Sequence, residues 1–381
     1  MVVLSDVATL LNGRAYKQSE LLNGGKTPIL SIGNFFSNKD WYYSDLELDE
    51  NKYCDNGDLL FAWSGSFGPK IWNGGKVSFH YHIWKILLDN KLIKKYMYYF
   101  LYNSAEKIKA QGHGITMIHT TKGEMEKMLV PLPPINIQRQ IADTLDKTQE
   151  IIDGHIKQLE GLDNFIKAVF YDMFGDPVTN DKNKKTIKLY QLIKNKSDLV
   201  DGPFGSSVNT KTDYIENGEI PVIRTKNISN NLEFVYDDLK FMTRKKYQTI
   251  LRSQVLPNDI ILTKVGTIGN VCVFPNTYKE AVLSTTGSCR IRPNTEVIYP
   301  EFLMYYLFFY KPKMLQIASA GVQAFLNMNH IKDFDIFFVD KKIQKRFLDI
   351  AKNIQEQKAL VKKSFTESQY LFNSLMSKYF D

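Results

Sequence analysis

The sequence predicts an α/β chain made twice. Two mixed α/β head domains are each followed by a long helix, and the two helices pair as an antiparallel coiled coil with an internal pseudo-twofold repeat. Three observations predict this. Pro28-Ile29-Leu30-Ser31-Ile32-Gly33-Asn34 is echoed by Pro221-Val222-Ile223-Arg224-Thr225-Lys226-Asn227, and Gly57-Asp58-Leu59-Leu60-Phe61 by Asn258-Asp259-Ile260-Ile261-Leu262. Gly65-x-x-Gly68 returns as Gly266-x-x-Gly269, so the order is kept while the offset grows from 193 residues at the proline to 201 at the aspartate. Each copy then closes with a heptad-like helix, opening near Gln138 and near Gln344, an offset of 206. A head-plus-rod chain made twice suits a two-sided reader or adaptor better than a one-pocket enzyme. Two non-identical heads suit a target with two different halves.

The 381 residues suit two or three domains. The expected division is a first head at 1–132, a first rod at 133–175, a linker at 176–185, a second head at 186–338 and a second rod at 339–381. In the first head, Leu59-Leu60-Phe61-Ala62-Trp63 reads as a buried strand, Val77 to Leu87 as another, and 92–110 as a helix. Pro133-Pro134 restricts the start of the first rod. Its apolar seam alternates by four and three through Ile141, Leu145, Thr148, Ile152, His155, Leu159, Leu162, Ile166, Val169 and Met173. Gly175 followed by Pro177 supplies a stop.

The second head repeats this order, with strands at Ile260–Leu262 and Val282–Ile291 and a helix over 300–318. Asp340 is the expected N-cap of the second rod. Its seam reads Ile343, Phe347, Ile350, Ile354, Gln357, Val361, Ser364, Ser368, Leu371 and Leu375. Rods of this length span roughly 50 Å. Neither stripe is stable alone in water, so the economical solution pairs the two rods within one chain, antiparallel, with the heads at opposite ends; pairing between chains is the alternative. Gly154 and Gly161, seven apart, would permit close approach of the partner helix.

Hydrophobic content of 44% is enough for real cores. Cys54, Cys272 and Cys289 stand far apart, with neither metal spacing nor a disulfide framework, which points to a reducing cytoplasm. There is no cationic-apolar leader and no run of 18 apolar residues, so no membrane partner is expected. The net charge of +8 is uneven: residues 1–180 carry 19 Lys+Arg against 21 Asp+Glu, and residues 181–381 carry 30 against 20. Nucleic acid is a plausible partner, for the second half above all.

Catalytic signatures are missing. Pro133-Pro134 lies between Leu132 and Ile135, so it is a hinge and not the Asn/Asp-Pro-Pro-aromatic tetrad of a DNA methyltransferase. No Gly-x-x-x-x-Gly-Lys-Ser/Thr loop is present for ATP. The paired Gly-x-x-Gly motifs are too short for a dinucleotide fingerprint and read first as turn glycines. His80-Tyr81-His82 places two imidazoles two apart on a strand, without nearby third and fourth metal ligands; His113 and His119 flank loop sequence. Asp and Glu are scattered through the loops, where counting does not exclude a nuclease centre, but no compact carboxylate cluster repeats in both heads, which disfavours one. A non-catalytic chain is therefore expected, with no cofactor or metal of its own. The polar loops favoured for DNA contain Trp63, Ser64, Ser66 and Lys70 with Asn34 in the first head, and Lys264 and Thr267 with Arg224, Lys226 and Asn227 in the second.

These motifs resemble the specificity subunit of type I restriction-modification systems. Gly57 through Pro69, followed by Trp72 and Gly74-Gly75, is similar to one subtype of its target-recognition domain. Pro131-Leu132-Pro133-Pro134-Ile135-x-x-Gln138-x-x-Ile141 resembles the family's rod opening, and Ala320-Gly321-x-Gln323-x-x-Leu326-Asn327 the approach to the second rod. The sequence departs at His80-Tyr81-His82, where this subtype often has Asn-Gln-His. It departs again at Val339-Asp340-Lys341-Lys342-Ile343-Gln344, which lacks the double proline. The third departure is Thr263-Lys264-Val265-Gly266-Thr267-Ile268-Gly269, where the first head has tryptophan and serines.

The resemblance implies a subunit that reads a bipartite sequence in double-stranded DNA. Two modification (methyltransferase) subunits would bind S-adenosylmethionine and methylate adenine N6. Restriction/translocase subunits would add ATP-driven, magnesium-dependent translocation and cleavage. The alternatives are a recognition subunit for a combined methyltransferase-nuclease partner, or a coiled-coil scaffold that does not touch DNA.

Overall fold

Among the described residues, ten strands recur twice in one order. In the first head these are β1 (Val2–Val3), β2 (Ala8–Asn12), β3 (Thr27–Leu30), β4 (Tyr42–Ser44), β5 (Tyr53–Cys54), β6 (Leu59–Ala62), β7 (Gly68–Ile71), β8 (Val77–Phe79), β9 (Ile83–Leu88) and β10 (Leu129–Val130). Short α1 (Ile32–Phe35) follows β3, and α2 (Lys94–Gln111) and α3 (Lys122–Glu126) follow β9. The long α4 (Ile135–Phe174) comes next. The second head then supplies β11 (Thr186–Lys188), β12 (Leu199–Asp201), β13 (Ile220–Ile223), β14 (Lys240–Met242), β15 (Gln254–Val255), β16 (Ile260–Thr263), β17 (Val271–Val273), β18 (Ala281–Leu283), β19 (Ser288–Ile291) and β20 (Asp335–Phe337). Its helices are α5 (Arg244–Gln248), α6 (Pro300–Phe309), α7 (Lys311–Ala318) and α8 (Met328–Lys332), before the long α9 (Lys341–Phe380). The computed structural model describes residues 1–37, 40–65, 67–111, 120–318 and 324–381. Ser66, His113, His119, Ala320, Gly321 and Gln323 therefore lie outside the described residues.

The sheets match strand for strand. The first head has sheets β2-β9-β6-β7 and β4-β3-β8-β5; the second has β12-β19-β16-β17 and β14-β13-β18-β15. Each head holds one parallel pair, β3 with β8 and β13 with β18, among antiparallel neighbours. This explains why β6 reads as a continuous apolar run. Leu59 and Phe61 enter one core, whereas Leu60 and Ala62 enter another. A strand covered on both faces has no polar side to alternate. In β16, Ile260 and Leu262 likewise part from Ile261.

The repeated Gly57-Asp58 and Asn258-Asp259 are turn chemistry. Gly57 and Asn258 have φ of 86° and 69°, in the left-handed region. The aspartate after each accepts a hydrogen bond from a backbone N–H three residues earlier, Asp55 at 2.8 Å and Leu256 at 2.7 Å.

Two elements expected as single pieces are divided. Val77–Leu87 breaks at His80–His82, because β8 and β9 belong to different sheets; Val282–Ile291 breaks in the same way at Ser284–Gly287. The helix expected over 300–318 is interrupted at Tyr310. Pro312 has no N–H to give to the carbonyl of Phe308, and its ring crowds that turn.

The chain forms two compact units, Met1–Lys157 with Val361–Asp381, and Gln158–Leu360. Each contains one head and part of both long helices. In the first unit, Ile141, Leu145 and Ile152 of α4 share a core with Phe372, Met376 and Phe380 of α9. In the second, moving along α4 from Asp163 to Phe170 moves the partner back along α9 from Lys358 to Phe347, so the helices run antiparallel. Buried Gln138 and Gln344 fix the helix starts identically. Their Oε1 atoms accept from the backbone of Ile93 and Tyr299 at 2.9 and 3.0 Å. Their Nε2 atoms donate to two carbonyls each, of Lys91 and Pro133 and of Val297 and Val339. Asp340 caps α9 by accepting from the N–H of Lys342, and Gly175 ends α4 with φ 91°.

Along α4, Ile166 is also buried, with Leu159 and Leu162 half-buried. The seam of α9 is corrected at every second position. Phe347, Ile354, Val361 and Leu375 face inward to different degrees, but Ile343 and Leu371 are 48% and 50% exposed and Ile350 is only half-buried. Gln344, Ala351, Lys358 and Phe372, one residue later in each case, are the buried members. The apolar letter is chosen at Ile343 and Ile350, where packing uses the Gln344 amide and the small Ala351; beside Gln357 packing uses the paired Lys358. Gly154 and Gly161 are also corrected, since a Cβ at either would meet nothing within 4 Å.

Candidate nucleic-acid interface

Four loops meet at one place in each head. In the first head they follow β2, β3, β6 and β8. Arg14 N–H donates to Phe79 O at 2.9 Å, Tyr81 N–H to Arg14 O at 3.0 Å, His80 N–H to Leu30 O at 2.9 Å and Trp63 N–H to His82 O at 3.0 Å. In the second head they follow β12, β13, β16 and β18. Gly202 N–H donates to Ser288 O at 3.2 Å, Ser284 N–H to Ile223 O at 2.9 Å and Lys264 N–H to Gly287 O at 2.8 Å. The crossing is tight: a Cβ on Gly13 would stand 2.3 Å from His80 O, and one on Gly202 only 1.9 Å from Thr285 O. Glycine is required at both, and it brings the first loop against the fourth.

The frame is shared, and the side chains on it differ. The first head carries an aromatic group. Trp63 donates through Nε1 to Tyr81 O at 2.8 Å, stacks 5.7 Å from Trp84 and meets the His82 ring edge-on at 4.9 Å. His80 and His82 lie 4.8 Å apart. Burial first, and His82 second, push the His80 imidazole down to about 4, and burial also lowers His82. Arg14 pairs with Glu20 at 2.8 Å and lies over the Tyr16 ring.

The second head is polar and cationic there. Ser284, Thr285, Thr286 and Gly287 replace the histidine-tyrosine-histidine run. Arg224, Lys226 and Lys240 converge on Asp238. Hydrogen bonds from Lys226 and then Lys240 hold that carboxyl far below the usual carboxylate range. Thr267 is exposed on the β16–β17 loop.

The type I restriction modification DNA specificity domain matches residues 1–161 and 175–367, almost the whole chain. The chain belongs to that family. The specificity chain is 26% identical over 358 residues to the Escherichia coli type I restriction enzyme EcoBI specificity subunit, covering 87% of this chain and 74% of that one. It is 24% identical over 317 residues to the MjaVIII specificity subunit of Methanocaldococcus jannaschii, covering 79% and 72%. Its fold is that of the type I system S subunit from M. genitalium, with TM-score 0.55 at 15% identity over 100% of this chain and 95% of that one. A chain from a study of complex assembly and conformational transition in the type I system gives TM-score 0.61 at 14% identity, covering 100% and 96%. The specificity chain is thus the DNA-recognition component of a type I restriction-modification system, and modification and restriction are the work of other subunits.

The residues expected on the DNA face divide into two groups. Trp63 and half-buried Ser64 lie in the loop cluster of the first head, and Arg224, Lys226 and Thr267 in that of the second. Four more, Asn34, Asn227, Lys264 and Lys70, are turned inward, contrary to expectation. Asn34 is 2% exposed, accepting from Ser31 N–H at 2.7 Å and donating to Ile29 O. Asn227 is fully buried and donates to the carbonyls of Val235 and Asp237. Lys264, 5% exposed, pairs with Asp201 at 3.4 Å. Lys70 donates to Phe35 O at 2.6 Å beneath the rings of Phe35 and Trp72. These four shape loops, because their polar groups are occupied by the chain itself.

His80, Tyr81 and His82 belong to the cluster and were not among the residues favoured for it; their departure from the subtype's Asn-Gln-His was the available signal. No group of three His, Cys, Asp or Glu residues able to hold a metal occurs among the described residues. Cys54, Cys272 and Cys289 are buried thiols pushed up to about 12 by desolvation, so they are poor nucleophiles. No helix among the described residues is long and apolar enough to cross a membrane.

Proposed function

We propose that each four-loop cluster of the specificity chain reads one part of a bipartite duplex target. The observation that carries this reading is one backbone frame made twice with different side chains upon it. A shared frame sets a common approach to DNA, and the exchanged residues set which bases are accepted. In the first head Tyr81 and His82, supported by Ser64, would read base edges, and Trp63, whose one donor is given to Tyr81 O, would meet the duplex through its ring; the His80 and His82 imidazoles, both lowered by burial, are neutral at pH 7, so each offers one donor and one acceptor. In the second, Arg224, Lys226 and Thr267 combine hydroxyl and cationic donors. Ser66 stays in the proposal on its sequence position alone.

The chain would assemble in the cytoplasm with two modification subunits that carry S-adenosylmethionine and with restriction subunits that use ATP and magnesium. Methylation of adenine N6 requires the base to leave the stack for a partner's pocket. Recognition then consists of holding the distorted duplex in register.

The test is to rebuild the complex with its modification subunits, methylate genomic DNA and map the modified adenines. Replacing Trp63, Tyr81 and His82 together by Ala is expected to relax the first half-site, with about 1–3 kcal/mol of discrimination lost per base pair misread, and to leave the second unchanged. An unaltered motif after that triple change would exclude the cluster as the reading surface.

A further inference from the structure

In the second head an open cleft of about 550 Å³ lies between the loops after β13 and β16 and the start of α7. Lys226, Thr267, Asn270 and Lys311 are among its lining residues. Lys311 stands at the first position of α7, where the break before Pro312 sets it. Its Nζ donates to Asn270 Oδ1 at 2.7 Å, and Asn270 is fixed in turn by donating to Ile228 O at 3.1 Å. That acceptor is neutral. Among the described residues no carboxylate is within ion-pair distance of Lys311, and burial lowers its pKa with no anion to oppose the shift. An ammonium has three donors, so two remain beyond the one given to Asn270.

The second glycine of the Gly-x-x-Gly motif makes room for this lysine. A Cβ on Gly269 would stand 2.7 Å from Lys311 Cγ. In the first head the matching glycine, Gly68, faces Ala105 at 3.7 Å, and α2 continues unbroken past that point. Among the described residues, the cation and the helix break that positions it therefore occur in the second head only. Across the cleft, Lys226 already holds an oxyanion, the Asp238 carboxylate.

We propose that Lys311, with Lys226 and Thr267, seats one phosphate of the DNA backbone in the second head, a grip with no counterpart among the described residues of the first. A phosphate offers several acceptor oxygens to two point charges and a hydroxyl, and the open side of the cleft admits a continuous strand. The proposal rests on the reading of the loop clusters as the DNA face. It implies that the second half-site is held more by charge than the first, in line with the positive excess of residues 181–381.

The experiment measures duplex binding by the complex with modification subunits across a KCl titration, on the mapped target and on an unrelated duplex. It compares the parent chain with Lys311→Met, which keeps the stem that packs on Gly269, and with Lys311→Arg. Lys311→Met is expected to weaken both duplexes by a similar factor and to reduce the slope of log affinity against log salt by about 1, while Lys311→Arg keeps the parent slope. The methylated motif stays the same. One neutral methylphosphonate in the second half-site should weaken the parent and leave Lys311→Met unaffected. An unchanged slope in Lys311→Met, with the parent still selecting its target, overturns the phosphate seat and leaves the reading intact. A parent complex that does not prefer its target overturns both. Should Lys311→Met fail to fold, the methylphosphonate walk on the parent decides: no sensitive phosphate in the second half-site overturns the seat.

Discussion

His80 gives the first head a pH response that one substitution can isolate. Its imidazole is held at about 4 against an ordinary value of 6.5, by burial first and His82 second. Between those values the unfolded chain binds a proton that the folded chain refuses. Lowering the pH through this window therefore removes stability, and the loss is complete below about 4. After allowance for the partly exposed ring, the effect should be about 1–3 kcal/mol. Urea unfolding at about pH 7.5 and about pH 4.5 is expected to show a smaller acid loss in His80→Asn than in the parent; equal losses would place the acid sensitivity elsewhere. The sequence shows two imidazoles two apart, and a strand through them was the natural reading. It does not show that β8 and β9 join different sheets, because that break is made by distant pairing partners and carries no glycine or proline. The crossing at Gly13 was equally hidden, since its need for glycine comes from a carbonyl 67 residues later in the chain.

At the scale of the element, the four-and-three spacing made both rods legible, together with the Gly175 stop of the first, the Asp340 cap of the second and the antiparallel pairing. The α9 seam slipped by one residue at alternate positions because hydropathy ranks Ile343 above Gln344 and Ile350 above Ala351 without knowing which face is covered. Gln344 is buried since all its amide bonds are made, and Lys358 since it pairs with Asp163. The glycines of α4 were read as sites of close approach, yet open space surrounds both. With φ in the helical range and no obstacle, Gly154→Ala and Gly161→Ala are each expected to raise stability by about 0.5–1 kcal/mol. Thermal unfolding reads this as a small rise in midpoint. A fall would mean that the missing side chain is needed for something packed on that face.

At the scale of the whole chain, the repeat was the strongest signal, because order survives where residues change. What the repeat hid was chemistry: Asn34 and Asn227 recur for the sake of buried turns, so this repeated polar residue marked the frame, and the residues proposed as readers lie among the unrepeated ones. Modularity follows. Replacing 186–338 by a head with different loop residues is expected to change the second half-site in the methylation map and to preserve the first, along with modification activity. Each head has cores of its own, one around Leu60 and Ala62 of β6 and another around Ile261 of β16. A swap that altered both half-sites would show that base choice is shared between the heads.

The division into units also sets a timetable. The second unit is continuous in sequence, but the first is closed by Val361–Asp381. Phe372 packs 6.1 Å from Tyr99, and Phe380 lies 5.4 Å from Tyr96 and 6.0 Å from Phe100. On a ribosome, roughly two hundred residues separate Lys157 from the segment that covers those rings, or on the order of 10–40 s of synthesis. The head made first is therefore the one finished last, and until then its aromatic floor is open to chaperones and to neighbouring nascent chains.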